Sequence, residues 1–224
     1  MKGKLIIIES GSDASGKQTQ TEKLFERLKN EGKNVKKITF PNYKSDSSSL
    51  IKMYLNGDFG KDPSDVNPYV SSTFFAVDRF ASYKTEWENF YLNGGIVISD
   101  RYTTSNMVHQ AAKLNDVEKE KFLNWLWNLE FILYGLPIPD LVIFLDMLPE
   151  LSQKLLKNRL NKIDGNEKKD IHENNEEYLK KSYENSLKIA DKYSWKKLKC
   201  YEDLRMKSID EIHEQIYDFV KNIL

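Results

Sequence analysis

Nine consecutive residues near the amino terminus have the types and spacing that hold a polyphosphate. From Gly11 to Thr19 the chain reads GSDASGKQT, a GxxxxGK pattern that follows an apolar run and precedes a helical pattern. Glycines let the backbone curl so that successive N–H groups point at phosphate oxygens, and the lysine reaches the terminal phosphates. The phosphate-binding residues predicted from this pattern are Gly11, Ser12, Asp13, Ala14, Ser15, Gly16, Lys17, Gln18 and Thr19.

The residue after the lysine departs from the usual motif. Ser or Thr normally stands there and supplies a hydroxyl to Mg²⁺, whereas this chain has Gln18 and places the hydroxyl one residue later, at Thr19. One helical step turns by about 100°, so Thr19 is a poor substitute. An ordinary glycine-containing turn is the alternative interpretation, and the adjacent Gly16 and Lys17 argue against it.

A phosphate loop alone is compatible with kinases, GTPases and ATPase motors. Residues 161–164 read NKID and match the letters of a guanine-reading motif, but they lie in a polar stretch with no strand before them. We treat that match as a coincidence. The class of protein must therefore come from the rest of the chain.

A second group of polar residues follows the apolar run at 96–98. It reads Ser99, Asp100, Arg101 and Tyr102, and open α/β sheets bind ligands beyond the carboxyl ends of such strands. A carboxylate there can hold Mg²⁺ through water, and the arginine can fork onto a phosphate. The alternative is a simple salt bridge between Asp100 and Arg101.

An aromatic and a cationic residue, Phe75 and Arg79, stand four positions apart in a helical pattern. This spacing puts both side chains on one face of the helix. Such a pair can stack on a base and hydrogen-bond its edge. A place in the hydrophobic core is the alternative for Phe75.

Short apolar runs alternate with longer helical patterns, which indicates βαβ units. We therefore predict an α/β fold of the P-loop NTPase type, with a doubly wound five-stranded parallel sheet flanked by helices. The predicted strands are Leu5–Ile8, Val35–Phe40, Ile96–Ile98, Leu141–Leu145 and Lys197–Tyr201.

The helices expected between these strands follow from apolar spacing and capping residues. A long helix is expected from Pro68 to Gly94, and a C-terminal helix carries an apolar stripe over residues 209–223. A further helix has Asp116 as its N-cap and ends at Gly135. Its expected apolar stripe consists of Phe122, Leu126, Leu129 and Leu133.

A polar insert interrupts the regular alternation. Residues 161–175 read NKIDGNEKKDIHENN and have no apolar periodicity, which favours a mobile flap. We expect one domain over residues 1–224, with this flap, or LID, at about 159–175.

Composition excludes several classes of protein. Lys+Arg and Asp+Glu are both 34, so the formal charge is zero and no general attraction to nucleic acid is expected. The longest apolar runs are far shorter than the roughly 18–20 residues that span a bilayer. A single cysteine, Cys200, forms no internal disulfide and is expected in the core or at an edge. We expect a cytoplasmic protein.

The phosphate loop, the pair at 75 and 79, the strand-end residues 99–102 and the sequence Phe40-Pro41-Asn42-Tyr43 together make the chain similar to one family. It is the thymidylate kinase family of nucleoside monophosphate kinases, bacterial type. The resemblance runs nearly end to end, through residues 139–146 to Tyr178. It implies transfer of the γ-phosphoryl group of ATP to dTMP, giving dTDP and ADP for dTTP biosynthesis, with Mg²⁺ bridging the donor's phosphates.

The resemblance also implies roles for residues around the nucleoside. Asp13 matches the family acid that meets the 3′-hydroxyl, Phe75 the aromatic that stacks on thymine, and Arg79 the arginine that bonds O4 of the base. The residues that match the stretch framing the nucleoside are Ser105, Asn106, His109 and Gln110.

At the phosphate end, Arg101 matches the arginine that holds the acceptor phosphate, and Asp100 belongs to the metal-linked acidic position. Tyr43 stands near that phosphate, where other members carry Arg. The catalytic set implied by the resemblance is Lys17, Arg101, Asp13 and Arg159.

Three departures from the family pattern leave questions open. Many members have Tyr where this chain has His109, which opens the question of discrimination against ribonucleotides. Gln18 opens the question of how Mg²⁺ is held. Ala14 stands where the eukaryotic type has a catalytic Arg, whereas bacterial-type members supply positive charge from the flap. The flap candidates are Arg159, Lys162, Lys168 and Lys169, and Arg159 is preferred because Lys cannot fork onto a phosphate.

Two alternatives to dTMP phosphorylation stay open at this point. His109 and Tyr43 are compatible with a kinase of another nucleoside monophosphate or a deoxynucleoside. Gln18 is compatible with a nucleotide-binding protein that has lost turnover.

The family resemblance and the aromatic-rich helices, including Trp87 and residues 122–131, also suggest a homodimer.

Overall fold

The computed structural model describes residues 2–12, 14–156, 171–172, 175–203 and 205–224. Its central feature is a five-stranded sheet in the order β2-β3-β1-β4-β5, in which every neighbouring pair is parallel. The predicted fold class is therefore confirmed. The strands are β1 (Lys4–Ser10), β2 (Val35–Thr39), β3 (Ile96–Asp100), β4 (Leu141–Asp146) and β5 (Lys196–Lys199).

The last strand differs from its predicted span of Lys197–Tyr201. β5 ends at Lys199, and Tyr201 instead begins β6 (Tyr201–Glu202), which pairs antiparallel with β7 (Arg205–Met206). Cys200 lies between the two strands, and its backbone N–H donates to the carbonyl of Asp146. The side chain is fully buried, as predicted, and burial raises the pKa of the thiol to about 12.

The central strand explains why the sheet is covered on both sides. Leu5 and Ile7 pack into the core on one face, and Ile6 and Ile8 pack into the core on the other. This alternation is the period-two geometry of a strand, and a run of four apolar residues therefore requires helices on both faces. The helices are α1 (Lys17–Asn30), α2 (Ser49–Leu55), α3 (Pro68–Ser82), α4 (Glu88–Leu92), α5 (Thr103–His109), α6 (Asp116–Trp127), α7 (Pro149–Leu156), α8 (Glu176–Lys192) and α9 (Ile209–Lys221).

The long helical region predicted from Pro68 to Gly94 is present, and it contains a π-helical segment. Pro68 occupies the first turn of α3, where its missing N–H costs nothing, and Asn67 caps that turn through a 2.8 Å bond from Tyr69 N. The π-helical segment Tyr83–Trp87 joins α3 to α4. Gly94, with φ of +89°, follows the end of α4.

The helix with the predicted N-cap Asp116 differs from expectation at its first turn, whereas its end before Gly135, whose φ is +66°, is as predicted. Its N-cap is Asn115, whose side chain accepts from Glu118 N at 3.0 Å, so the Asp116 prediction was wrong by one residue. Its C-terminal end continues into a π-helical segment, Asn128–Leu133. The wider turn of a π-helix rotates the inward face, because each hydrogen bond spans one more residue than in an α-helix.

That rotation changes which residues are buried. Phe122 and Leu126 are fully buried as predicted, but Leu133, expected on the same stripe, is 69% exposed. Glu130 and Phe131 face the interior instead. The change places a carboxylate inside the protein.

Trp87 and Phe122, which the sequence suggested as part of a subunit contact, are core residues that are 1% and 0% exposed. They therefore stabilise the single chain. In the part of the chain that the structure describes, no helix is both long and apolar enough to cross a membrane.

Candidate active site

Two adjoining cavities lie at the carboxyl edge of the sheet. The first has a volume of about 450 Å³ and the second about 400 Å³. Gln18, in the first turn of α1, and Asp100, the last residue of β3, line both of them. Because they share these two residues, a group bound in one cavity can reach a group bound in the other.

The second cavity is built around the predicted phosphate loop, which joins β1 to α1. Ala14 has φ of +54° and Gly16 has φ of +87°, so the backbone turns through the left-handed region twice before the helix begins. Lys17 curls back, and its Nζ donates to Ser10 Oγ at 2.6 Å, Ser12 O at 3.0 Å and Ser15 Oγ at 3.3 Å. The loop therefore surrounds the ammonium group and holds it close to the backbone.

Gly11 is needed for a different reason. A Cβ atom at this position would lie 2.1 Å from the Oγ atom of Ser186 in α8. The first glycine of the motif thus lets α8 cross closely over the phosphate loop.

The remaining wall of the second cavity is mostly apolar. Met147, Met206, Ile209 and Ile212 line it, together with Lys207. Loop residues of one wall can therefore take phosphates, while the apolar wall can take a flat ring. The predicted loop residues that line this cavity are Ala14, Ser15, Gly16, Lys17, Gln18 and Thr19.

The first cavity brings together the residues predicted for the second substrate. They come from α3, from α5 and from the segments that follow β2 and β3. The predicted residues that line it are Tyr43, Phe75, Arg79, Asp100, Arg101, Ser105, Asn106, His109 and Gln110.

One end of this cavity carries Phe75 and Arg79 from α3. Phe75 is half-buried, meets Tyr54 edge to face with ring centroids 6.3 Å apart, and lines the cavity while packing against the apolar cluster that contains Tyr54. Arg79 is 1% exposed and forms a two-pronged ion pair with Glu130, in which Nε and Nη2 each donate over 2.6 Å. Glu130 was missed by the sequence interpretation, because that interpretation assigned the inward stripe of this helix to apolar residues alone.

Two amide side chains of α5 line the same end and are tied to α3. Asn106 Nδ2 donates to Ser72 O over 3.3 Å, and Gln110 Oε1 accepts from Ser71 Oγ over 2.7 Å. Both amides are almost fully buried. These bonds fix the spacing between the two helices that bound the cavity.

The other end of the first cavity carries Arg101, whose φ of +70° turns the chain sharply after β3. Its Nη1 lies 3.1 Å from His109 Nε2 and 4.0 Å from Glu9 Oε1. Since a guanidinium group only donates, His109 Nε2 is the acceptor in this contact. Arg101 therefore lies within ion-pair distance of Glu9.

Glu9 is the second carboxylate that the sequence interpretation missed. It is fully buried at the end of β1 and accepts from Ser10 N, Thr104 Oγ1 and Ser105 Oγ over 2.9, 2.7 and 2.6 Å. The signal in the sequence was an acidic residue directly after a buried apolar run, because a charge there needs partners.

The last part of the predicted flap and the helix that follows it complete the first cavity. His172 and Leu179 line it, and His172 Nε2 lies 2.8 Å from the Tyr54 hydroxyl. The Tyr178 hydroxyl donates to His109 O over 2.9 Å. These contacts join the end of the predicted flap to α2, and α8 to the end of α5.

Several predictions fall outside the described residues. Asp13 and the flap candidates Arg159, Lys162, Lys168 and Lys169 are among them. Within the residues that are described, no group of three or more His, Cys, Asp or Glu side chains could hold a metal ion.

Comparison with known proteins gives consistent matches. The family model described as thymidylate kinase matches residues 8–216. A thymidylate kinase of Mycobacterium tuberculosis is 33% identical over 162 residues, which cover 72% of this chain and 74% of that protein. One of Plasmodium falciparum is 30% identical over 222 residues, covering 99% and 91%. The solved structure of a thymidylate kinase from Candida albicans has a TM-score of 0.71 and 22% identity, covers 99% of this chain and 92% of that one, and bears on the fold.

Proposed function

Because the chain belongs to the thymidylate kinase family, we infer that it transfers the γ-phosphoryl group of ATP to dTMP, giving dTDP and ADP. The observation that best supports this reaction is the pair of adjoining cavities, one built on a phosphate loop and one containing Arg101. Phosphoryl transfer requires donor and acceptor phosphates to meet in line, and Gln18 and Asp100 mark the place where the cavities meet.

On the donor side, the loop amides and Lys17 would hold the β- and γ-phosphates. The three bonds from Lys17 to oxygen atoms of Ser10, Ser12 and Ser15 indicate an ammonium group that is already oriented before ATP binds. The flat ring of the base would lie against Met206 and Ile209.

On the acceptor side, Arg101 would hold the phosphate of dTMP and Phe75 would stack on the base. An oxygen of that phosphate forms a bond to the γ-phosphorus while the bond to the β–γ bridging oxygen breaks, and ADP leaves with that oxygen. The acceptor phosphate is already anionic, so no general base is needed. Positioning and charge neutralisation by Lys17 and Arg101 account for the catalysis we propose.

Mg²⁺ fits this arrangement as the metal that neutralises charge on the donor phosphates. Asp100 lines both cavities, and carboxylate oxygens are ligands that Mg²⁺ prefers, usually alongside phosphate oxygens and several waters. We propose that Asp100 holds the ion through water, which suits a loop that has Gln18 in place of a hydroxyl.

Further parts of the proposal concern the flap and the assembly. We propose a single kinase domain that acts in the cytoplasm, in which a flap containing Arg159 closes over the substrates and excludes water. A homodimer is supported by exposed apolar residues on α3 and the π-helical segment that follows α6. These are Val70, Val77, Phe80, Ile132 and Leu133.

A coupled ADP-release assay with ATP, Mg²⁺ and dTMP tests the reaction. Parallel reactions contain dUMP, UMP, dCMP, dGMP or thymidine, and one contains no acceptor. We expect ADP release with dTMP and background release without an acceptor. Turnover with a different acceptor alone would overturn the choice of substrate. Folded protein that binds ATP and dTMP without forming dTDP would favour the alternative of a nucleotide-binding protein that has lost turnover.

A further inference from the structure

We propose that Glu130 sets the base selectivity of the first cavity by fixing the guanidinium group of Arg79. Glu130 would be a positioning residue, since it acts through Arg79 and does not touch the base. This inference rests on the proposed function, and it adds a residue of the π-helical segment to the acceptor site.

The geometry of the ion pair determines which edge of Arg79 is available. Glu130 takes the Nε and Nη2 edge with two bonds of 2.6 Å. The Nη1 atom makes a long bond of 3.5 Å to Tyr102 O, and the side chain lines the cavity. Nη1 can therefore present an N–H donor to a ligand.

A fixed donor has a definite chemical preference. It favours a base that presents a carbonyl oxygen, as thymine and uracil do at position 4, and disfavours the exocyclic amine of cytosine. A site built to hydrogen-bond one substrate rejects an analogue that leaves the buried polar group unpaired. The preference requires that the guanidinium plane does not rotate.

Glu130 is itself held in place. Its Oε2 atom accepts from Thr103 Oγ1 over 2.7 Å, and the side chain is fully buried. Thr103 begins α5, and Asn106 of this helix and its C-cap Gln110 line the same cavity. One carboxylate thus links α3, α5 and the π-helical segment at the base end.

A purely structural role is a weaker explanation. A buried ion pair adds little net stability over apolar side chains of the same volume, because both charges lose their hydration. Helix spacing in this region is already fixed by the bonds of Asn106 and Gln110 to α3. Because Arg79 lines the first cavity, a role of the Arg79–Glu130 pair in recognising the bound base is the better explanation.

The test is the Glu130→Gln variant, which keeps the volume of the side chain and removes its charge. We expect the KM for dTMP to rise about tenfold with a smaller change in kcat, as for the loss of one well-oriented charged hydrogen bond. The ratio of kcat/KM for dTMP to that for dCMP should fall by about the same factor. Thr103→Val, which removes one bond to Glu130 at nearly constant volume, should shift the ratio in the same direction by less.

Glu120→Gln is the matched control, because it makes the same chemical change at an exposed pair with Lys192. We expect wild-type kinetics from it. A folded Glu130→Gln protein that has a lower unfolding temperature but an unchanged dTMP to dCMP ratio would assign Glu130 a structural role only and overturn the proposal.

Calorimetric titration of dTMP and dCMP without ATP provides a second readout. It gives the base preference of the wild-type chain, Glu130→Gln and Thr103→Val without requiring turnover. If the wild-type chain has no kinase activity, the proposed function is overturned. An unchanged preference for dTMP in both variants would overturn the role of Glu130, so the two failures are distinguishable.

Discussion

The ammonium group of Lys17 is oriented by bonds to Ser10, Ser12 and Ser15. We expect a charge that is oriented before the substrates bind to contribute strongly to catalysis. Replacement by Met keeps the aliphatic part of the side chain and removes the charge. We expect Lys17→Met to lower kcat about 10²- to 10³-fold, as the loss of one preorganised charge-stabilising group does. The affinity for dTMP should stay near the wild-type value.

Steady-state kinetics with dTMP and calorimetric dTMP binding provide the measurement. Lys23→Met is the control, since Lys23 lies on the same helix and pairs with the exposed Asp210. Turnover of Lys17→Met near the wild-type rate would contradict the mechanism.

Lys113 predicts a pH dependence of stability. Burial is the main cause that lowers its pKa from 10.5 to about 7, and nearby Asp62 opposes the shift. The ammonium group contacts the Tyr54 hydroxyl at 2.8 Å and Val66 O at 3.4 Å. Between pH 7 and 10.5 the unfolded chain binds more protons than the folded one, so the free energy of unfolding must rise with pH.

We expect this contribution to approach, at most, about 1.4 kcal/mol per pH unit. Urea unfolding at pH 7, 8 and 9 measures it, and Lys113→Met should remove the rise. Lys192→Met, at an exposed pair with Glu120, should keep the wild-type slope. Equal slopes for wild type and Lys113→Met would mean that folding does not lower the pKa of Lys113.

Residues predicted from the sequence and residues missed by it differ in where their partners lie. Lys17 and Arg101 belong to local patterns, so the types of their neighbours were enough to find them. Glu9 and Glu130 are defined by partners from distant parts of the chain, and no local spacing records those partners. A buried carboxylate is visible in a sequence only after its burial is known.

Helix α6 provides a test at the scale of one element. Asn115 accepts from Glu118 N at the first turn, whereas the sequence had assigned the cap to Asp116. We expect Asn115→Ala to lower the free energy of unfolding by about 1 kcal/mol, which is typical for the loss of an N-cap side chain. Asp116→Ala should cost less, because that side chain is 87% exposed.

Chemical denaturation of both variants under one condition provides the comparison. A larger loss for Asp116→Ala than for Asn115→Ala would restore the assignment made from the sequence.

The π-helical segments show where periodicity stops being informative. The stripe of Phe122 and Leu126 fits an α-helix, and extrapolating that period put Leu133 inside and left Glu130 unnoticed. In the structure Leu133 is exposed and Glu130 is buried. The position of a π-helical turn depends on tertiary packing, which a helical repeat does not record.

At the scale of the whole molecule, the parallel sheet and its flanking helices were predictable because each buried strand is a continuous apolar run. The order of the strands was not, since several right-handed arrangements of the same βαβ units satisfy that pattern. The shared boundary of the two cavities could not be predicted from the sequence either. It depends on β3 lying next to β1, which brings Asp100 close to the phosphate loop.

The apolar face on α3 and the π-helical segment predicts an assembly of two chains. Phe80 and Tyr134 contact each other with ring centroids 5.3 Å apart, so the exposed residues of the two elements form one surface. Sedimentation of the wild-type chain at micromolar concentration should give about twice the 26.3 kDa mass of one chain. Val77→Asp should shift the protein towards the monomer, since a charge buried at an apolar contact is costly.

Val117→Asp is the control for this experiment. Val117 is 70% exposed on α6 and is not part of the surface just described, so its replacement should leave the mass unchanged. A wild-type chain that sediments only as a monomer would remove the homodimer proposal.

The order of the sheet has a consequence for the newly synthesised chain. β1 leaves the ribosome first, yet it pairs with β3 at residues 96–100 and with β4 at residues 141–146. Ser186 of α8 then packs against Gly11 of the phosphate loop. The nucleotide site therefore depends on segments that are translated long after the loop itself, and an incomplete nascent chain should have no affinity for ATP. Until synthesis passes β4, the apolar β1 strand lacks a native neighbouring strand, and its apolar side chains are exposed to aggregation.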